Sequence, residues 1–342
     1  MQQRPKMLVV DEEPSDPSHG WAPASRPVEV LLQYGFVPLD KPRGPTSHEV
    51  VAWVRKLLSV EKAGHSGTLD PPVSGVLPIG LGHATKALSL LLLFPKEYRG
   101  VMRLHSAVPR RQLDEVLAEF SGEIFQRPPQ RSSVSRETRT RTVYELEITE
   151  AAGNLYLFRC LCQSGTYIRK LVYDMGEVLG VGATMVELRR TMVGPVAESA
   201  GLTTLHQLND AVHLWKSGEE GPLRKAVLPI EESLGPRGRV VVRDSAVDAV
   251  CHGASLGLPG VLSVTDDTSK GDLVAIVSQK GELVAVGRAL MPADEMVKLR
   301  RGLACNAETV VMQRGTYPKG WKKRAESHGL RAEGPAGAPR RQ

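Results

Sequence analysis

The stretch Gly64–Gly80, "GHSGTLDPPVSGVLPIG", holds a single carboxylate, Asp70, inside a run of Gly, Ser, Thr and Pro that closes on apolar residues. Pro71 disfavours the α region for Asp70 and pushes it to extended backbone. Pro72 stiffens the next step. A side chain presented from so restricted a loop loses little freedom when it meets a partner. Three chemistries compete for it. A phosphate cradle would use Gly64, Gly67 and Gly75, but G-x-x-x-x-G-K-[ST] is absent and "GLGHATK" (80–86) lacks the last glycine of G-x-G-x-x-G. A serine nucleophile would use Ser66 beside His65, yet there is no G-x-S-x-G elbow, and chain neighbours rarely form the base–nucleophile hydrogen bond. The third chemistry is Asp70 itself, as nucleophile or acid–base group. An Asp-Pro pair alone ordinarily marks a turn or a helix start. A working carboxylate also needs a cation to keep it ionised. Arg169, in "SGTYIRK" (164–170), is the candidate, at a strand-to-helix junction.

Around this loop lie 342 residues, 41% apolar and 24% charged, enough for two domains and a well-buried core. A net charge of +6 suits an anionic partner, and nucleic acid better than membrane. The longest apolar run, Ala87–Phe94, lies between Lys86 and Lys96 and is too short to span a bilayer. The opening "MQQRPKMLVVDEEPSD" (1–16) lacks a signal-peptide core, so a cytoplasmic protein is expected. Cys160, Cys162, Cys251 and Cys305 form no C-x-x-C pair, and no H-x-x-x-H falls on a helical stretch, so no metal is expected. Cys160 and Cys162 read as small hydrophobes on one face of a strand.

Pattern divides the chain. Residues 1–30, rich in Pro, Ser and charge, read as an irregular arm. Residues 31–235 mix strands with single helices, an α+β domain on a mixed or antiparallel sheet. Thr46 and Glu49 have capping-box spacing before a helix whose Val50, Val54, Leu57 and Leu58 share a face. A helix is expected over Ala84–Phe94, and an Arg-rich loop over "QRPPQRSSVSRETRTR" (126–141). Residues 237–318 read as a small β-rich domain with a hairpin turn at Lys280–Gly281. Residues 319–342 read as a basic, disordered tail.

The whole of "GHSGTLDPPVSGVLPIGLGHATK" (64–86) resembles the active-site motif of the TruB/dyskerin family of pseudouridine synthases. "VPLDKPRGPTSHEVVAWVRK" (37–56), "FSGEIFQRPPQRSSV" (120–134) and "SGTYIRKLVYDMGEVLGVGATMVELRRT" (164–191) resemble its other segments, in order. "RDSAVDAVCHGASLGLPGV" (243–261) and the hairpin after it resemble a PUA RNA-binding domain, as in the archaeal dyskerin-like branch. The resemblance covers roughly residues 25–318. It implies isomerisation of uridine to pseudouridine in RNA, without a cofactor. It makes Asp70 the catalytic aspartate, attacking either base or ribose, Arg169 its ionic partner, and Tyr98 the active-site tyrosine. His65, Tyr167 and Leu188 become pocket residues. Pro72 departs from the pattern, where dyskerin-like sequences usually carry a polar or basic residue.

A buried uridine must flip out to meet Asp70. The loop arginines Arg127, Arg131, Arg136, Arg139 and Arg141 are therefore candidate RNA contacts, although a solvated charge run is their ordinary reading. In the PUA segment the candidates are Gly253 and Gly260, with Arg243 and Lys280. Expected partners are tRNA, or a guide RNA with its rRNA target and the small proteins of an H/ACA ribonucleoprotein. The competing class is a non-catalytic RNA-binding scaffold, against which the joint presence of Asp70, Tyr98 and Arg169 argues. A hydrolase using Ser66 is the third reading.

Overall fold

The computed structural model describes residues 5–127, 137–235 and 238–320. It opens with strand β1 (Met7–Val9), helix α1 (Val28–Tyr34), strand β2 (Gly35–Lys41) and helix α2 (Ser47–Leu57). The capping box on α2 is present: Thr46 accepts from the Glu49 amide, and Glu49 accepts from the Thr46 amide. Strands β3 (Ala63–His65) and β4 (Ser74–Leu81) flank the Asp70 loop. Then come α3 (Leu88–Leu93), β5 (Lys96–Leu104), α4 (Arg110–Glu119), β6 (Gly122–Gln126), β7 (Arg139–Ala152), β8 (Leu155–Cys162) and α5 (Ile168–Val178). Strands β9 (Ala183–Val193) and β10 (Val196–Ala197), helices α6 (Leu205–Lys216) and α7 (Gly221–Ala226), and β11 (Leu228–Pro229) follow.

These strands form one mixed sheet, ordered β11-β2-β4-β9-β5-β8-β7-β6, with β3 beside β4 and β10 beside β9. Its pairs are antiparallel except β4 with β9. Period-two alternation gives β4 two faces. Leu77, Ile79 and Leu81 enter a core under α1, α2 and α6, while Val76 enters a different one. Beneath α4 and α5 a third core holds Leu69, Val73, Met102, Phe158, Cys160, Cys162 and Leu188. The two cysteines are buried on the same face of β8, as alternation requires.

The C-terminal sheet contains β12 (Arg239–Val242), β13 (Leu256–Gly257), β14 (Val261–Thr265), β15 (Leu273–Ser278), β16 (Leu283–Ala289) and β17 (Leu303–Val310), with helices α8 (Asp244–Cys251) and α9 (Ala293–Lys298). Its order is β1-β14-β12-β15-β16-β17-β13. An apolar seam joins it to the N-terminal sheet: Leu90, Leu91 and Ile230 pack with Val277, Leu283 and Val286.

Four local expectations change. Residues 7–9 are not irregular; they pair with Val264 and its neighbours about 250 residues away, a partner no local pattern reveals. The helix over Ala84–Phe94 is a 3-10 turn, Gly82–Ala87, running into the shorter α3. Strand β6 was not expected, and it turns Gln126 inward. Arg139 and Arg141 lie on β7 rather than in a loop, because cross-strand bonds to Gln126 and Ile124 extend that strand backwards. Arg131, Arg136 and residues 321–342 lie outside the described residues.

Candidate active site

The Asp70 loop is held mainly by its backbone. Leu69 and Val73, on either side, are buried anchors. The Ser47 hydroxyl accepts from the Leu69 amide (2.9 Å) and donates to the Leu69 carbonyl (3.0 Å). The Gly44 amide donates to the Pro71 carbonyl at 2.9 Å. Lys41, fully buried, donates to the carbonyls of Pro71 (3.3 Å), Val73 (2.9 Å) and Pro42 (2.9 Å). Burial lowers the pKa of this lysine, and the charge of Asp70 opposes that. The Val73 amide closes the turn on the Asp70 carbonyl at 2.9 Å. The capping box orients α2, so Ser47 in its first turn reaches the loop.

With its backbone fixed, Asp70 projects outward. Its carboxylate pairs with the Arg169 guanidinium, and both side chains are 54% exposed. An ion pair this exposed contributes little to stability. It does hold a carboxylate in one orientation at a surface a large substrate can reach. Arg169 sits in the first turn of α5, whose N-cap is Tyr167. Gln126 clamps that cap: its side-chain amide donates to the Tyr167 carbonyl (3.1 Å) and accepts from the Tyr167 amide (2.9 Å).

Tyr98 on β5 pairs across with Arg190 on β9 and Cys160 on β8, and it packs on the core that holds Leu69, Val73 and Leu188. Burial pushes the phenol above its ordinary pKa, and the Arg190 charge opposes this. The fold thus brings Asp70, Arg169, Tyr98 and Leu188 to one region, with Tyr167 at its edge. His65 lies on β3 and meets His48 of α2 edge-to-face, ring centroids 5.2 Å apart. Burial lowers its pKa, with the charges of His48 and Arg190 adding to the effect. His65 Nδ1 and Ser66 Oγ are both buried without a hydrogen-bond partner among the described residues, and Ser66 has no exposed surface. They form no base–nucleophile pair, so the geometry does not support a serine hydrolase.

The peripheral candidates separate. Arg127 is exposed beside Gln126, and Arg139 is partly exposed on β7. Arg141 donates to the Thr140 carbonyl at 2.7 Å and lies over Gly165, in the turn before Tyr167. Gly253, at φ +84°, faces open space at the end of α8. Gly260 instead answers a packing demand, because a Cβ there would come 3.0 Å from Leu256 and 3.1 Å from Ala246. Arg243 pairs with Asp11 and Glu13 and donates to the Pro259 carbonyl at 2.7 Å. Lys280 donates to the carbonyls of Asp16 (2.8 Å) and His19. Both cations hold the N-terminal segment rather than standing free. Sequence reading missed Lys41, Ser47, Gln126 and Arg190. Their one signal is position, inside the segments flanking Asp70 and Arg169.

Family models agree with this layout. Residues 1–51 match a DKCLD (NUC011) domain and residues 55–110 the N-terminal domain of TruB family pseudouridylate synthase. Residues 169–235 match the tRNA pseudouridylate synthase B C-terminal domain, and 238–311 a PUA domain. A probable tRNA pseudouridine synthase B of Methanothermobacter thermautotrophicus is 50% identical over 316 residues, 92% of this chain and 97% of that protein. One from Pyrococcus furiosus is 49% identical over 324 residues, 94% of this chain and 95% of that protein. Among solved structures, Cbf5 in a complex with Nop10 and Gar1 superposes with TM-score 0.88 at 48% identity, covering 93% of this chain and 97% of that one. An H/ACA RNP bound to a substrate RNA containing 2'-deoxyuridine gives 0.87 at 47%, covering 93% and 98%. Fold and matches together define an RNA-modifying isomerase joined to a PUA domain. The chain belongs to the TruB family of pseudouridine synthases, which convert uridine to pseudouridine in RNA.

Proposed function

We propose that Asp70 is the group that attacks the target uridine, that Arg169 pairs with it and aims it, and that Tyr98 stacks on the extruded base and takes part in proton transfer. His65, Tyr167 and Leu188 wall the pocket. The observation that carries this reading is the Asp70–Arg169 ion pair, exposed on a loop whose backbone is tied down by Lys41, Gly44 and Ser47. A scaffold has no use for such a carboxylate. Residues 31–235 serve catalysis and residues 237–318 grip RNA, with Gly253 on the open side of α8.

The substrate is RNA of two kinds. The names of the curated relatives support tRNA. The Cbf5 complexes with Nop10, Gar1 and substrate RNA support guide RNA with small protein partners. Among the described residues no helix is long and apolar enough to cross a membrane, and we place the protein in the cytoplasm with its RNA. The test compares the wild type with Asp70→Asn on a tRNA transcript, then on guide RNA with target and partner proteins. Product from the wild type and none from the variant, with RNA affinity unchanged, is the expected result. Equal product from Asp70→Asn would overturn the assignment. Tight RNA binding without product in either system would leave the scaffold.

A further inference from the structure

Arg190 is among the largest side chains the interior encloses, about 1% exposed. Its Nε donates to the Val76 carbonyl (2.8 Å) and its Nη2 to the Gly67 carbonyl (3.1 Å). Among the described residues both of these hydrogen bonds go to carbonyls and neither to a carboxylate. Gly75, at φ +105°, pairs with Arg190 in register, and a Cβ there would come 2.1 Å from the Arg190 carbonyl. β4 therefore lies flush on β9 at this point, and the guanidinium is fixed beneath the Asp70 loop at both ends. Its cross-strand neighbour on β5 is Tyr98, and the Arg190 charge opposes the effect of burial on that phenol. Lys96, two residues before Tyr98, is a second buried cation nearby, satisfied by the carbonyls of Leu91, Leu92 and Phe94 and the Ser164 hydroxyl.

A buried charge is costly unless a counter-charge meets it. The reaction supplies one. In the product the ribose is bonded to carbon, so that carbon has lost its hydrogen, and the released ring nitrogen carries one instead. One proton leaves carbon and one reaches nitrogen, with no oxidation or reduction. A phenol relaying such a proton holds negative charge on its oxygen while the proton is away.

We propose that Arg190 is a positioning residue for the reaction, acting through Tyr98. Fixed by Val76 and Gly67, its guanidinium sets the Tyr98 phenol against the Asp70 loop and stabilises negative charge on the phenol oxygen. This rests on the role assigned to Tyr98 above.

The experiment measures single-turnover modification rates and RNA affinity for wild type, Tyr98→Phe, Arg190→Lys and the double variant, in whichever RNA system the wild type modifies. Lysine keeps the charge and loses the fork. Arg190→Lys is expected to slow the reaction about 100-fold, the loss seen when one preorganised donor is removed, with RNA affinity unchanged. In the Tyr98→Phe background the same change is expected to slow it less than about twofold, because the group it acts through is gone. An equal fold-loss in both backgrounds would overturn the proposal and leave Arg190 structural. If Tyr98→Phe alone has no effect, the role of Tyr98 itself fails, a distinct result. Where Arg190→Lys does not fold, Arg190→Gln replaces it. Replacing Tyr98 by the more acidic 3-fluorotyrosine is then expected to restore rate more in the variant than in the wild type, and no difference overturns the proposal.

Discussion

Ser47 carries one hydroxyl, and it satisfies both the N–H and the C=O of Leu69, the residue before Asp70. Lys41 does the same for the loop carbonyls of Pro71 and Val73. Such residues were illegible in the sequence because they act on backbone atoms of a segment about twenty to thirty positions away. Asp70 and Arg169 were legible because their own side chains form the ion pair and their neighbours are unusual. Lys96 makes a sharper case. Burial, with the Arg190 charge, pushes its pKa down from an ordinary 10.5 to about 8. Between those values the unfolded chain binds more protons than the folded one, so stability attributable to Lys96 rises with pH across that window. Below pH 8 the burden of the buried charge is fully present. Unfolding free energies of wild type and Lys96→Met are measured at pH 7.5, 8.5 and 9.5, and the wild-type value minus the variant's is expected to rise with pH. A difference that falls as pH rises rules this account out.

At the scale of elements, α5 shows how a helix start becomes a site. The apolar positions Ile168, Leu171, Val172 and Met175 bury one face, which the sequence period announces. Where the helix begins is decided by Gln126 of β6, an element the sequence did not announce, since "GEIFQ" is short and runs into Pro and Arg. Gln126→Ala leaves the Tyr167 N–H without its partner, while the Tyr167 C=O keeps the Leu171 amide, a cost of about 1–3 kcal/mol. It also frees the turn that aims Arg169 at Asp70. We expect modification to slow by about 100-fold, the scale of a 1 Å misplacement, with RNA affinity unchanged. Thermal melting and single-turnover rates measured together decide it: a lowered melting temperature with an unchanged rate means the clamp only stabilises. The α2 start, by contrast, was readable from Thr46 and Glu49 alone, because a capping box is local.

In the whole molecule the two sheets are held by residues far apart in the chain. Arg26 and Glu231 form a buried, two-pronged ion pair (2.9 and 2.8 Å), and Glu231 also accepts from the Leu283 amide of β16 at 2.8 Å. One carboxylate thus ties the segment before α1, the interdomain linker and the C-terminal sheet. Arg243 and Lys280 add the arm of residues 11–19 to the same sheet. Removing one partner of a buried pair leaves the other charge uncompensated, so Arg26→Met is expected to cost about 3–5 kcal/mol. Urea unfolding followed at equilibrium measures this, and a loss under about 1 kcal/mol shows the pair is not what joins the domains.

The sequence by itself determined the α+β class, the two-domain order, the loop that presents Asp70, and the cation offered to it. Each is written in local spacing, turn chemistry or a long contiguous motif. Only the tertiary structure decided that residues 7–9 belong to the last domain's sheet, that Arg243 and Lys280 are held by the N-terminal segment, and that Lys41, Ser47, Gln126 and Arg190 set the site. Those facts depend on which distant backbone groups meet, and a hydrogen bond between chain-distant segments leaves no period in the sequence.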